Sequence, residues 1–376
     1  MTIEIRQHTP GRDLADFIRV PYLIFQNDPN WIPPLDFMVK EQLTPSKNAF
    51  FEHAEVALFT ARKNGQLVGR ISAQVDQEHL KRWNDEAGFF GFFDTIDDPE
   101  VGKALMAAAE SWLRQRGVKK IRGPMSLSVN EELGTLVEGF DTPAMLMMSH
   151  HRPYQGAIVE ACGLTKVKDL FCWRYDMDEL PPRAQKAYDE IKALPEVKLR
   201  TLNPKNLEPE LKLILEIQDD AWRDNWGHVS LTATEGKKAV EALKLVVKQE
   251  LAILAEIDGK PAGMCIALPN LNEAARDLGG KLFPLGWAKL LYRLKVKTPS
   301  TARLCLLGIK KEYRSVRRYG ALSLAMVAEI QQRGRKLGVS WGELSWTLED
   351  NAPVNLLIRS MRGKLYKKYR VYERAL

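Results

Sequence analysis

Several residues in the second half of the sequence are of types that could do chemistry. Glu343, Glu349 and Asp350 lie on or just after Val339–Leu348, an apolar stretch that reads as a strand. If that strand alternates, Glu343 shares a face with Trp341 and Ser345. A carboxylate on a partly apolar face has its pKa raised toward basic competence, so Glu343 and Asp350 are candidate proton acceptors. The bland alternative for Glu343 is a paired structural carboxylate. His228, shortly after Trp226, is the only histidine of the second half and a third candidate, against the alternative of an exposed loop histidine. Arg317-Arg318-Tyr319-Gly320-Ala321 opens a helical stretch. A glycine-bearing turn at a helix N-terminus can cradle phosphate with successive backbone N–H groups, although a glycine can also simply open a helix. The adjacent His150 and His151 would face opposite ways on a strand, so a structural role is expected rather than a metal. Cys162, Cys172, Cys265 and Cys305 are scattered, with no CxxC pair and no close histidine partner. That argues against a zinc site or disulfide framework and fits a reducing cytoplasm. Cys305, inside a predicted strand, is expected to be a small core residue and not a nucleophile.

The elements that must position these groups are repeated. With an offset of about 194 residues the chain matches itself in order. Ile3-Glu4-Ile5-Arg6 answers Val197-Lys198-Leu199-Arg200, and Trp31 answers Trp226. Glu55–Phe59 answers Glu250–Leu254, and the turn Asn64-Gly65 answers Asp258-Gly259. Asn-Gly and Asp-Gly between apolar runs predict type I′ hairpins, which need positive φ at both central residues. Each half then offers a helix and a strand. In the first, Asp98 caps a helix with Pro99 in its first position, Gly117 stops it, and Val118–Val129 reads as a strand. In the second, a helix from about Ala321 ends at Gly338 and Val339–Leu348 follows. A tandem duplication explains the matches, with domains at 1–178 and 197–376 and a linker at 179–196.

Composition bounds the rest. The 376 residues suit two domains, and hydrophobic residues at 45% with charged ones at 27% exclude a disordered chain. No apolar run spans a bilayer, and Met1–Arg6 lacks the build of a signal peptide, so a soluble cytoplasmic protein is expected. The net charge of +7 is concentrated late. From Leu278 to Lys311 there is no acid against eight basic residues. This suits a phosphate-bearing ligand, an anionic membrane or nucleic acid, against the alternative of a solvated face. Within this region an insertion at about 270–301 places Trp287, Leu290, Leu291 and Leu294 at i, i+3, i+4 and i+7, beside Lys289 and Arg293. Such a helix can lie on an anionic membrane, line an acyl tunnel or pack on the other domain.

The order strand, helices, hairpin, strand, glycine-bearing turn, helix, strand resembles the GCN5-related N-acetyltransferase (GNAT) superfamily. The turn Arg317–Ala321 resembles its Arg/Gln-x-x-Gly-x-Gly/Ala signature, with Leu322 where a second small residue would stand. Glu343–Asn351 resembles the late strand that ends in an Asn opening a helix, and Tyr366–Glu373 the closing strand. Asn130-Glu131-Glu132, Gly139–Pro143 and Pro153-Tyr154 resemble a bacterial tandem-GNAT group that includes the bacterial ceramide synthases, which N-acylate a sphingoid base.

The resemblance implies an α+β fold, two tandem domains each with a mixed, mostly antiparallel sheet flanked by helices. It implies an N-acyltransferase that moves an acyl group from acyl-coenzyme A to a primary amine, with a long-chain or sphingoid-type amine in view and no metal. Leu307, Ile309, Arg317, Arg318, Tyr319, Gly320, Ala321 and Asn351 would hold the coenzyme A moiety. Trp226, Trp287, Trp346, Asn130 and Glu131 are the candidates for contact with substrate. The acid that would protonate the leaving thiolate is missing from its usual place, because Val354–Met361 contains no Tyr; Tyr313 and Tyr319 are the substitutes. The first half has Asp94-Thr95-Ile96-Asp97-Asp98-Pro99 where a phosphate turn belongs, and three carboxylates with a missing N–H would repel pyrophosphate. One site, in the second half, is therefore expected. The other readings are a tRNA-dependent aminoacyl transferase of Fem type and a non-catalytic scaffold. In the leading reading no nucleic acid is expected, and the basic insertion allows peripheral contact with the inner face of a membrane.

Overall fold

The computed structural model describes residues 2–376. The first half forms β1 (Ile3–His8), β2 (Ala54–Lys63), β3 (Gln66–Asp76), β4 (Ala87–Thr95), β5 (Lys120–Gly123), β6 (Thr135–Glu138) and β7 (Thr165–Asp176). The second half forms β8 (Val197–Thr201), β9 (Ala252–Ile257), β10 (Lys260–Pro269), β11 (Thr301–Ile309), β12 (Trp341–Leu348) and β13 (Lys364–Ala375). Both expected hairpins are present. Asn64 and Gly65 have φ of 52° and 77°, and Asp258 and Gly259 have 49° and 72°. Positive φ at both central positions closes the Lys63–Gln66 and Ile257–Lys260 pairs.

Two compact units result. The first comprises Met1–Leu170, Ala275–Trp287 and Lys367–Leu376; the second comprises Phe171–Ala274 and Ala288–Tyr366. Within the first the strand order is β1-β2-β3-β4-β5-β13, with β6 also on β13. Within the second it is β8-β9-β10-β11-β12-β7. Within the units β4 with β5 and β11 with β12 run parallel, while β1 with β2, β2 with β3, β3 with β4, β13 with β5 and β6, β8 with β9, β9 with β10 and β10 with β11 run antiparallel. The six-strand order is thus repeated in the two units, with β6 an addition in the first, and each unit is the mixed, mostly antiparallel α+β sheet expected.

The sixth strand of each unit comes from the opposite half of the sequence. Residues from Lys367 onward complete the first unit, and Phe171–Asp176 of β7 lie in the second. The compact units therefore cut across residues 1–178 and 197–376. The stretch 179–196 folds largely as helix α1 (Pro182–Lys192), whose Tyr188 donates to Glu329 at 2.5 Å within the second unit. The insertion at 270–301 is divided, with Ala275–Trp287 in the first unit.

Each sheet buries one face under a helix that follows its fourth strand. In the first unit the helix Pro99–Arg114 lays Val101, Leu105, Ala109 and Leu113 on Phe59, Ile71, Ala73 and Phe90. In the second, the helix Leu322–Lys336 lays Leu322, Ala325, Met326 and Ala328 on Ile253, Ala255, Cys265 and Leu304. Each fully buried Leu, Ile or Phe is worth about 1.5–3 kcal/mol, so these layers carry most of the hydrophobic stabilisation. The expected cap is present: Asp98 accepts from the Glu100 N–H at 3.0 Å, with Pro99 in the first turn. Two expectations differ. Val118–Val129 is a strand only over Lys120–Gly123, because the chain then folds back onto β4. His150 and His151 lie in a loop of the first unit, where His150 pairs with Asp28 at 2.9 Å and His151 accepts from the Leu136 N–H at 3.1 Å.

Candidate active site

The second unit contains an opening between parallel strands. β11 and β12 pair from Thr301–Trp341 to Leu304–Leu344, and both then continue unpaired with each other, to Ile309 and Leu348. On the other edge of β11 the register with β10 slips. Ile266 faces Leu306 and Ala267 faces Leu304, which leaves Cys305 as the extra residue of a bulge. A bulge bends its strand, and here it lies where β11 parts from β12. Leu307 and Ile309 are on the diverging stretch. The helix Leu207–Trp222 ends over them: Trp222 donates its indole N–H to the Leu307 carbonyl at 3.1 Å. Gly308 has no room for a side chain, since a Cβ there would stand 2.8 Å from that of Ala221.

Beyond Ile309 the chain makes short helical turns, Lys311–Arg314 and Arg317–Tyr319, before the helix Leu322–Lys336. The same helix end anchors this loop. The Lys311 N–H donates to Asp220 at 2.8 Å, the Lys311 ammonium pairs with Asp224 at 2.8 Å, and Arg314 donates to the Ala221 carbonyl at 3.1 Å. Arg318 is held by Glu196 at 2.5 Å, and Tyr319 packs edge-on against Tyr313 at 6.2 Å. The helix has Ala321 as N-cap, no side-chain cap and no acid in its first turn. Its first-turn N–H groups and the positive end of its dipole are therefore offered outward without a carboxylate to satisfy them. Gly320 has an ordinary helical φ of −57°, and a Cβ there would meet only the Arg317 carbonyl at 3.3 Å. Its use is to keep the turn low, not to reach positive φ.

The acid–base candidates have separate surroundings. Glu343 is fully buried on β12, opposite Arg303 on β11 in the last part of the paired region. Ser345 and Tyr366 donate to its two oxygens, and the Arg303 Nε lies 3.6 Å away while donating to the Ser345 Oγ at 2.8 Å. Trp341 packs edge-on against Tyr366 at 5.8 Å, so the expected shared face exists. The carboxylate is absorbed in a buried network at the vertex of the opening. His228 is also buried, at 7% exposure, with Nε2 3.2 Å from Asp219. Burial pushes the Asp219 carboxyl up, but hydrogen bonds from Ser230, Arg223 and His228 outweigh it and hold the pKa down at about 2. Asp219 is thus ionised at any working pH and fixes the imidazole. It sits one turn before Trp222, at the helix end that covers Leu307. Asp219 escaped the sequence reading; its signal was an acid on the helix leading to His228.

Asp350 is exposed in the turn after β12, and Asn351 caps the helix Ala352–Ser360 by accepting from the Val354 N–H at 3.4 Å. A further residue, Asn355, holds the end of β12. It is buried, donates to the Leu348 carbonyl at 3.0 Å and accepts from Thr347 at 2.7 Å, and Thr347 in turn accepts from Trp173 at 2.9 Å. Trp346 and Trp226 are half-buried in the second unit. Trp287, Asn130 and Glu131 belong to the first unit, where Glu131 accepts from Gln42 and the Asn130 N–H donates to Ser128 at 3.2 Å. Burial raises the Cys265 and Cys305 thiols, as befits core residues and not nucleophiles. Among the described residues no three His, Cys, Asp or Glu side chains gather as metal ligands, and no helix is long and apolar enough to cross a membrane.

The first unit has the same opening, closed by its own chain. β4 and β5 pair only from Ala87–Lys120 to Phe89–Arg122, and the β3–β4 register slips between Arg70 and Ser72. Here Met125 donates its N–H to the Phe90 carbonyl at 2.7 Å, and the Phe92 N–H donates to the Ser126 Oγ at 3.4 Å. Gln74 clamps the plug by donating to the Met125 carbonyl at 2.5 Å.

No protein-family model matches the chain. The bacterial ceramide synthase of Caulobacter vibrioides is 44% identical over 371 residues, covering 98% of this chain and 96% of that one. Protein YghO of Escherichia coli is 38% identical over 374 residues, covering 99% and 95%. Among solved structures, a tandem GNAT protein from the clavulanic acid biosynthesis pathway covers 100% of this chain and 98% of its own, with a TM-score of 0.59 at 14% identity. The parted parallel strands, the bulge beside them and the uncapped helix agree with these relatives: the fold is that of the tandem GCN5-related N-acetyltransferases, and the chain belongs to the family of the bacterial ceramide synthase.

Proposed function

We propose that this protein is an acyl-coenzyme A-dependent N-acyltransferase whose acceptor is the primary amine of a sphingoid-type base. The observation that carries the reading is the open β11–β12 notch leading to an uncapped helix N-terminus. Among the described residues the second unit combines the two, whereas the corresponding helix of the first unit is capped by Asp98. In this reading the diverging stretch with Leu307 and Ile309 takes the pantetheine arm. The first-turn N–H groups at Ala321, with Gly320 kept low and Arg317 beside it, take the pyrophosphate. The identity of 44% with a ceramide synthase supports the acceptor class.

The chemistry asks little of the protein beyond placement and one proton acceptor. The amine nitrogen attacks the thioester carbonyl carbon, the amide C–N bond forms and the C–S bond breaks. His228, fixed by Asp219, takes the proton that the ammonium loses, and coenzyme A leaves as its thiolate, which solvent protonates. Glu343 is given the structural role its partners define. Both substrates carry long apolar chains in this reading, so we place the protein at the inner face of the membrane as a peripheral enzyme.

Thermal stabilisation by coenzyme A, acetyl-coenzyme A and palmitoyl-coenzyme A tests this. A ligand at a hundred times its Kd stabilises the native state by about 2.7 kcal/mol, an easily read shift in Tm. A shift that grows with acyl length is expected; none with any of the three overturns the reading.

A further inference from the structure

Past its pairing with β12, β11 stays laddered to β10 as far as the pair Gly263–Ile309. Residues Leu306–Ile309 thus have one paired edge and one edge parted from β12. In an antiparallel ladder alternate residues turn both N–H and C=O to the partner strand, and those between turn theirs away. The Lys310 N–H donates to the Ala262 carbonyl at 2.9 Å, one step beyond the last pair. Lys310 and Gly308 therefore face β10, and Leu307 and Ile309 turn their backbone groups to the opening. Such a row of groups is what an extended, amide-bearing chain adds itself to.

One of these groups is already taken. The Leu307 carbonyl accepts from the indole N–H of Trp222 at 3.1 Å. Trp222 is half-buried, and an indole nitrogen can only donate. The backbone beside it is fixed, since Gly308 lies too close to Ala221 for a side chain and Arg314 donates to the Ala221 carbonyl at 3.1 Å. What can change there is the side-chain rotamer. The indole gives the carbonyl what a secondary amide of a ligand would give, one N–H donor from the open side. We infer that Trp222 holds the place of a ligand amide, capping Leu307 until an arriving amide N–H takes the carbonyl over and the indole turns away. The inference rests on the acyl-coenzyme A reading, in which this stretch receives the pantetheine arm, and adds a filter to it. An arm with an amide N–H replaces the bond it displaces. A plain alkyl chain would strip the carbonyl of its donor and return nothing, so Trp222 keeps lipid tails out of the arm's groove.

Calorimetric titration of the full-length chain and of Trp222→Phe tests it, with two probes. One is coenzyme A; the other is adenosine 3′,5′-bisphosphate, a nucleotide without the amide arm. Phe keeps a ring and removes the donor. Coenzyme A should bind the variant about two- to ten-fold more tightly, the scale of one net hydrogen bond no longer broken on binding. The bisphosphate should bind both proteins alike. Wild-type fluorescence gives a second reading: coenzyme A should shift the emission to longer wavelength as the indole enters water, and the variant should lack that shift. Unchanged or weaker coenzyme A binding by a variant with native circular dichroism overturns the inference, as does an equal gain for the bisphosphate. Wild-type binding without a change in emission also overturns it. Coenzyme A binding by neither protein would remove the acyl-coenzyme A reading and the inference together, whereas equal binding by both removes the inference alone.

Discussion

The β4–β5 and β11–β12 openings are two outcomes of one duplicated design. In both, a parallel pair stops early and the neighbouring antiparallel pair carries a bulge. In the first unit the backbone of Met125 and the Ser126 hydroxyl satisfy the groups that parting exposes, and the next helix is capped by Asp98. In the second unit β11 and β12 part after Leu304 and Leu344, and the next helix, with Ala321 as N-cap, has no side-chain cap. One parting of strands is filled by the chain itself, and the other is the proposed ligand site.

The comparison breaks most completely if ligand goes to the wrong notch. Calorimetric titration should give one acyl-coenzyme A per chain, and Gly320→Trp should remove at least about 99% of the binding, some 2.7 kcal/mol or more, with little change in the unliganded Tm. Two equivalents, or binding unaffected by the substitution, would show that the first notch is also in use.

Glu343→Gln tests whether the vertex is structural. It leaves Arg303 buried beside an uncharged partner, and such breakage costs about 3–5 kcal/mol. Urea unfolding should show that loss; a drop in turnover at unchanged stability would instead make Glu343 the base. His228→Ala should lower kcat by about a hundredfold, while acyl-coenzyme A affinity holds. A matching loss of affinity would place His228 in binding. Asp219 offers a smaller pH signature. Because its folded pKa is lowered from 3.8 to about 2, its stabilisation is complete above pH 4 and lost as pH falls through the lowered value. Asp219→Asn should therefore flatten the acid limb of stability between about pH 4 and 2.

The gentlest test compares two glycines. A Cβ on Gly91 would drive into the Met125 carbonyl of the plug, so Gly91→Ala should cost about 1–3 kcal/mol. Gly320→Ala, with a helical φ and one tolerable contact, should stay within about 0.5 kcal/mol. Equal costs would mean that the first notch is not sealed as described.

What the sequence disclosed depended on how local each signal was. Asn64-Gly65, Asp258-Gly259 and Asp98-Pro99 each state their geometry within a few residues, and the structure has them. The turn Arg317–Ala321 and the face shared by Trp341, Glu343 and Ser345 were legible for the same reason. The plug was not, because Val118–Val129 has the composition of a strand and its fold-back is fixed by hydrogen bonds to distant β4. The His228–Asp219 pair also depends on how a helix end meets a loop, which periodicity does not encode. The exchange of β7 and β13 was invisible, since a closing strand reads the same whichever sheet receives it.

That exchange has a consequence for biosynthesis. Arg122 on β5 finds its partner Glu373 on β13, 251 residues later in the chain. At a synthesis rate of roughly 5–20 residues per second, the edge of β5 waits some 10–50 s for its neighbour. Throughout that interval the nascent first unit carries an unpaired strand edge of the kind that invites aggregation. The protein cannot mature in N-to-C order, and a ribosome-associated holdase should find its first clients in this chain among the residues around Lys120–Gly123.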